Sequence, residues 1–254
     1  MPAFESTPLF ERPTLSAQVA RHLLNLIARE GLRPGDAAPS EAQICRQLEV
    51  SRGSVREAYR TLAALGILAI ESGRCPRLQA ISAHALSQIF GYALETSQVS
   101  PPDVLETRRT LEVQAVQLAA RHASKAQRHR LAAEMQLMRS ALEALDRPRL
   151  VASDMAIHTV LAEASLNPLN PLLLNALRAS LEHQMNLNMG TRRSEMDLRR
   201  IVDAHGAIVD RVCAGDAAGA AVAMSRHFDL SAAAMSELLS DTKAARGRYR
   251  AVVK

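Results

Sequence analysis

The 254-residue chain is 48% hydrophobic and 22% charged, which excludes a disordered composition and suffices for one large core or two modest ones. No apolar run approaches the ~20 residues that span a bilayer, and a net charge of +5 with a pI of about 9.5 admits nucleic acid without requiring it. Three widely spaced cysteines (Cys45, Cys75, Cys213) with no C-x-x-C pair argue against a disulfide framework or a cysteine zinc knuckle, and the lack of tryptophan with 3% aromatics argues against a stacking platform for single strands.

The start, MPAFESTPLFERP, has acids and prolines where a signal peptide needs a basic and then an apolar region, so a cytoplasmic protein with no membrane partner is expected. Residues 14–30 carry Val19, Leu23 and Ile27 at helical spacing; Gly31 can end that helix, and Pro34-Gly35 is a turn. Ser40 followed by Gln43 is a capping box that starts a second helix running to about 48. Ser51 caps a third, closed by Gly66. The segments 67–70 and 77–81 read as two short strands around the hairpin tip ESGRCP. The order helix, helix, turn, helix, two-stranded wing predicts a winged helix-turn-helix over residues 1–80.

The third helix places Arg52, Arg56 and Arg60 in a column four residues apart. In a helix-turn-helix this is the element that enters the major groove, N-terminal residues first. Arg52 is then placed for a bidentate contact to guanine and Arg56 for a base or a phosphate. Ser51 and Ser54 can donate to phosphates, and Arg74, beside Gly73 at the wing tip, can reach a minor groove or a phosphate. The plainer alternative is a solvated face with salt links such as Arg52 or Arg60 to Glu57.

Beyond residue 81 the pattern is helical throughout. Helices are expected over 82–97, 101–122, 124–145, 150–165, from NPLNP to about 189, 195–213 and 216–240. This is a mainly α chain, with an all-helical bundle over 81–240 and a basic tail over 241–254 that is expected to fray. On the helix from 103, Arg108 falls in the stripe Val104, Leu111, Ala115, Leu118; a buried cation needs an anion, either a structural carboxylate or a ligand. Asp154 and His158 are i,i+4 and share a face. His205 lies with Ile201, Ile208 and Val212, and His227 with Ala223 and Leu230. One Asp and three His on three helices pointing inward suit a divalent metal ion such as Zn, Ni or Mn, with open positions left over. With Arg108 beside it, such a cavity favours a small carboxylate effector. The alternatives are ordinary core histidines, or a metal-dependent hydrolase; against the hydrolase, no inward Glu or second base is evident beside the four ligands.

The segment LSAQVARHLLNLIAREGLRPGDAAPSEAQICRQLEVSRGSVREAYRTLAALGILAI resembles the winged helix of the gluconate-repressor (GntR) family. LETRRTLEVQAVQLAARHAS, DMAIHTVLAEASLNPLNPLL and DAHGAIVDRVCAGDAAGAAVAMSRHF resemble the FCD domain of its fatty-acid-regulator (FadR-like) branch. The resemblance implies a homodimeric transcriptional repressor or activator that binds a palindromic double-stranded DNA operator and responds to an organic acid. It implies DNA contacts at Arg52, Ser54, Arg56 and Gly73, metal ligands at Asp154, His158, His205 and His227, and an effector-binding arginine at Arg108. Two departures stand out. Ala42 follows PSE where the family usually has Arg, and the wing reads ESGRCP instead of a Gly-Arg-Gly form. A metal-free regulator that answers an acyl thioester is the nearest alternative.

Overall fold

A computed structural model describes residues 13–185 and 194–252, with 182–185, 238–239 and 241–252 described by backbone alone. The chain divides into two compact units, Met1–Ala85 and Leu86–Lys254.

The first unit is a helix-turn-helix with a wing. Helix α1 spans Leu15–Glu30, capped by Thr14 and ended by Gly31 in the left-handed region, φ 65°. Helix α2 spans Glu41–Leu48, with the Ser40/Gln43 capping box formed in both directions. Glu49 closes it at φ 53°, and Ser51 then caps α3, Arg52–Ala64, by accepting from Ser54 N. A link of three residues, 49–51, of which Glu49 alone is left-handed, makes the helix-helix joint tight. Val19, Leu23, Ile44, Val55, Ala58, Tyr59 and Leu62 fill the core between these helices. The Tyr59 hydroxyl is sealed in that core and donates to the Pro39 carbonyl. Burial, then Glu41, pushes its ionisation well above the ordinary phenol range.

The wing is shorter than the sequence predicts. Strands β1 (Leu68–Ala69) and β2 (Arg77–Leu78) pair antiparallel, where the spacing predicts 67–70 and 77–81. Pro76 has no N–H to give to the ladder, and its carbonyl instead accepts from Ala38 N. Beyond Leu78 only Gln79 N still reaches across, to the Ile67 carbonyl, and Ile81 is exposed.

The second unit is a helical bundle: α4 (His84–Glu95), α5 (Pro101–His122), α6 (Lys125–Glu143), α7 (Arg147–Ala164), α8 (Leu169–Met185), α9 (Glu195–Cys213) and α10 (Ala217–Val252). Helix α5 packs on α7, α8, α9 and α10, and α6 packs on α7 and α9. The expected Ser124/Gln127 capping box is present, and two more use Asp at the third helical position, Ser100/Asp103 and Ser194/Asp197. Val116, Leu131, Ile157, Val160, Ile208, Val212, Met224 and Phe228 form the core. The basic segment 241–254, expected to fray, instead continues α10 to Val252, because its Ala, Arg and Lys residues are good helix formers and no proline stops them. The expected end of the fifth bundle helix near 189, and the leading segment 1–12, lie outside the described residues. Among the described residues no helix is long and apolar enough to cross a membrane.

Candidate functional site

Three helices of the bundle converge on one polar cluster inside an apolar core. Helix α7 supplies Asp154 and His158, one turn apart on its inward face. Helix α9 supplies His205 and α10 supplies His227. One donor atom from each of the four lies within 4.8 Å of the other three. The three histidines are buried, His205 completely. The His205 Nε2 stands 2.9 Å from Asp154 Oδ1 and 3.3 Å from His158 Nε2, and the rings of His205 and His227 meet edge to face with centroids 4.5 Å apart.

The tautomers follow from the outer partners. His205 Nδ1 is 2.8 Å from the Ile201 carbonyl, which can only accept, so Nδ1 carries the hydrogen and Nε2 presents its lone pair inward. His158 Nδ1 donates to Glu112 Oε2, which turns its Nε2 inward in the same way. His227 Nδ1 is buried and has no hydrogen-bond partner among the described residues. In their neutral forms, then, two imidazole lone pairs face each other beside a carboxylate oxygen. Only a cation between them, an ion or a proton, removes that repulsion. Four ligands at roughly 2.1 Å in a tetrahedron stand about 3.4 Å apart, and the observed separations of 2.9, 3.3 and 4.0 Å bracket that value. The donor set fits a divalent metal ion.

A second layer, which the sequence reading did not find, holds the cluster. Glu112 on α5 is 3% exposed; its Oε1 accepts from Arg108 Nε and Nη2 at 3.0 and 2.8 Å, and its Oε2 takes His158 Nδ1–H. The anion that Arg108 requires is thus a structural carboxylate one turn along its own helix, and the expectation that no inward Glu lies beside the four ligands is overturned. Glu112 is not poised as a base, since both oxygens are engaged. On α8, Arg178 donates to Asp154 Oδ2 and is itself buried. Burial alone would raise both carboxyl groups, but the groups that donate to them outweigh it. The His158 Nδ1–H and the Arg108 guanidinium hold Glu112 well below the carboxylate range, and Arg178 does the same for Asp154. Burial lowers His158 and His227 below the ordinary imidazole range, Glu112 opposing it at His158, while His205 and His158 deepen the shift at His227.

The apolar face of α5 is also turned from the expected stripe. Leu111 and Leu118 are only partly buried, and the centre of the face is Val104, Glu112, Ala115, Val116 and Ala119. The usable signal was an Arg/Glu pair at i,i+4 within one apolar face. For Arg178 it was a lone cation among Leu174, Leu177 and Leu181. A groove of about 840 Å³ between α9 and α10, lined by Arg200, Asp203, Arg211, Val222, Arg226 and Leu230 among others, includes none of the cluster residues.

In the first unit, the residues expected to meet DNA sit at the exposed start of α3 and at the wing tip. Ser51 and Ser54 hydroxyls are 3.0 Å apart at the positive end of α3. Arg52 is exposed and makes no ion pair among the described residues, and neither it nor Arg60 pairs with Glu57. Arg56, with 60% of its side chain exposed, leans 3.6 Å from Glu41 on α2. Gly73 turns the wing at φ 74°, and Arg74 pairs with Glu71 across the tip at 2.5 Å, still largely in solvent.

Residues 15–76 match the family described as bacterial regulatory proteins, gntR family, and residues 103–230 match the FCD domain. The chain is 30% identical to the HTH-type transcriptional regulator LutR of Bacillus subtilis (strain 168), over 80% of this chain and 93% of that one. It is 29% identical, over 84% and 83% of the two chains, to an Escherichia coli (strain K12) protein provisionally named an L-lactate dehydrogenase operon regulatory protein. In fold it is similar to a solved Streptococcus agalactiae GntR, with a TM-score of 0.65 and 24% identity over 85% of this chain and 98% of that one. The alternative of a hydrolase built on the bundle gives way to these relationships: the chain belongs to the gntR family of bacterial regulatory proteins, in the FadR-like branch with an FCD domain, and is a DNA-binding transcriptional regulator.

Proposed function

We propose that this regulator is a repressor whose hold on a palindromic operator is set by a small organic acid bound in the bundle beside a divalent metal ion. The observation that carries the reading is the convergence of inward lone pairs from His158 and His205 on Asp154, with a donor atom of His227 within 4.8 Å of theirs. Asp154, His158, His205 and His227 would hold the ion. Zn, Ni or Mn all suit imidazole and carboxylate donors. Once bound, the ion supplies a centre of positive charge with positions free for carboxylate oxygens. The chain's own part is to orient the ligands. Ile201 O and Glu112 fix the His205 and His158 tautomers, and Arg178 fixes the Asp154 carboxylate. Arg108, whose Nη1 makes no hydrogen bond among the described residues, would grip the acid.

Two copies would place their α3 helices in successive major grooves, about 34 Å apart on the operator. Arg52, Ser51, Ser54 and Arg56 would make the groove contacts, with Gly73 and Arg74 on the wing following the backbone. The acid changes operator affinity only through different affinities for two arrangements of the protein. The name of the Escherichia coli relative makes L-lactate the first acid to try.

The test measures the metal content of freshly purified protein, then binding to its own promoter fragments by fluorescence anisotropy, with and without zinc and L-lactate. Stoichiometric metal, and operator affinity that shifts with an organic acid only in loaded protein, support the reading. A metal-free protein whose DNA binding answers an acyl thioester instead overturns it.

A further inference from the structure

Counting the charges around the cluster narrows the class of acid. With neutral histidines, Arg108 balances Glu112 and Arg178 balances Asp154, so the empty cluster sums to zero. Three of the four charged side chains are nearly withdrawn from solvent, Arg108, Glu112 and Arg178 at 12%, 3% and 8% exposed, while Asp154 at 26% is the edge that water reaches. A divalent ion raises the sum to +2 in a largely buried site, open to water at Asp154. A monocarboxylate leaves one positive charge uncompensated there, which is costly; a dianion restores neutrality. The two guanidiniums also come from different helices, α5 and α8, and reach the same polar core, Arg108 through Glu112, which takes His158 Nδ1–H, and Arg178 through Asp154, whose other oxygen is 4.0 Å from His158 Nε2. Each has N–H groups to spare. Arg178 donates only to Asp154 Oδ2 among the described residues, and a guanidinium carries five donors.

We propose that the acid this site takes is a small dicarboxylate, one carboxylate directed to Arg108 and the metal position and the other to Arg178. The inference rests on the effector reading above and makes it more specific. Arg178 is then a specificity-determining residue: it distinguishes a second carboxylate from a hydroxyl or methyl group at the far end of the ligand.

The experiment uses the full-length zinc-loaded protein, with malonate and succinate as dianionic probes and acetate and L-lactate as monoanionic ones. Binding is followed by calorimetry and by thermal shift. A dicarboxylate is expected to bind roughly 10- to 100-fold tighter than either monocarboxylate, the scale of one additional charge-assisted contact. Arg178→Met is expected to abolish or reverse that preference, since it lowers the charge of the loaded site by one, and Arg178→Lys to retain most of it. Zinc content is read on both variants, and if Arg178→Met sheds zinc the decision falls to Arg178→Lys. Equal or tighter binding of L-lactate or acetate overturns the dicarboxylate assignment but leaves the effector site standing. Binding of none of the four acids to loaded protein overturns both.

Discussion

The Glu112 carboxylate receives the Nδ1 hydrogen of His158 in the bundle interior, with both side chains 3% exposed. That one contact sets the tautomer of a candidate metal ligand, and through its other oxygen ties it to Arg108.

Glu112→Gln should therefore weaken metal binding without removing a ligand. The expected loss is about 10- to 100-fold in affinity, the range for outer partners of metal-bound histidines. Competition with a chromophoric chelator measures it. Unchanged affinity would show that His158 needs no orienting partner.

Arg52 is exposed at the start of α3 and its removal leaves no buried group unpaired. Arg52→Ala is expected to leave the circular dichroism melt unchanged and to cost about 1–3 kcal/mol of preference at one base pair of the operator. Anisotropy titrations against operator variants read this directly. A uniform loss across all sequences would assign Arg52 to the phosphate backbone instead.

Tyr59→Phe removes the hydroxyl that satisfies the Pro39 carbonyl and leaves the ring packing intact. The winged-helix unit should lose about 1–3 kcal/mol, the cost of stranding a buried acceptor. Urea unfolding followed at 222 nm suits this chain, which has no tryptophan. A midpoint equal to wild type would mean that water replaces the lost donor.

The metal-free bundle should weaken on mild acidification. Burial holds His158 and His227 below the ordinary imidazole value in the folded state, so the unfolded chain takes up protons first as pH falls. Stability rises with pH wherever the unfolded state binds more protons. The melting temperature of chelator-treated protein is therefore expected to fall between about pH 7.5 and pH 5.5, through the ordinary His range near 6.5. Glu112 and Asp154 add a separate loss below the carboxylate range, since their folded values are depressed. A melting temperature that is flat or rises over the upper interval would contradict neutral burial of these rings.

Much of the fold is legible because it is written in short-range chemistry. Ser40 with Gln43, Ser51, Ser124 with Gln127, and Gly31 mark helix ends within a residue or so of where they fall. The Asp154/His158 spacing and the apolar neighbours of His205 and His227 point to the inward faces that the three helices of the candidate cluster present. The first wing strand is overread at Ile70 because its place across the ladder falls to Pro76, which has no donor. Glu112 and Arg178 escape notice for a different reason. A charged residue in a helix reads as solvent-facing unless its partner is seen: for Arg178 that partner, Asp154, is 24 residues away, and for Glu112 the stripe drawn through Leu111 hid the Arg108 pair one turn back.

The mutual cancellation of Arg108 with Glu112 and Arg178 with Asp154 has a consequence for how the protein matures. A bundle that is electrically complete when empty would not depend on an ion in order to fold, unlike a small zinc finger. Synthesis and loading with metal would then be separate events, the ion entering a finished interior from the side of Asp154, a quarter of whose side chain is exposed.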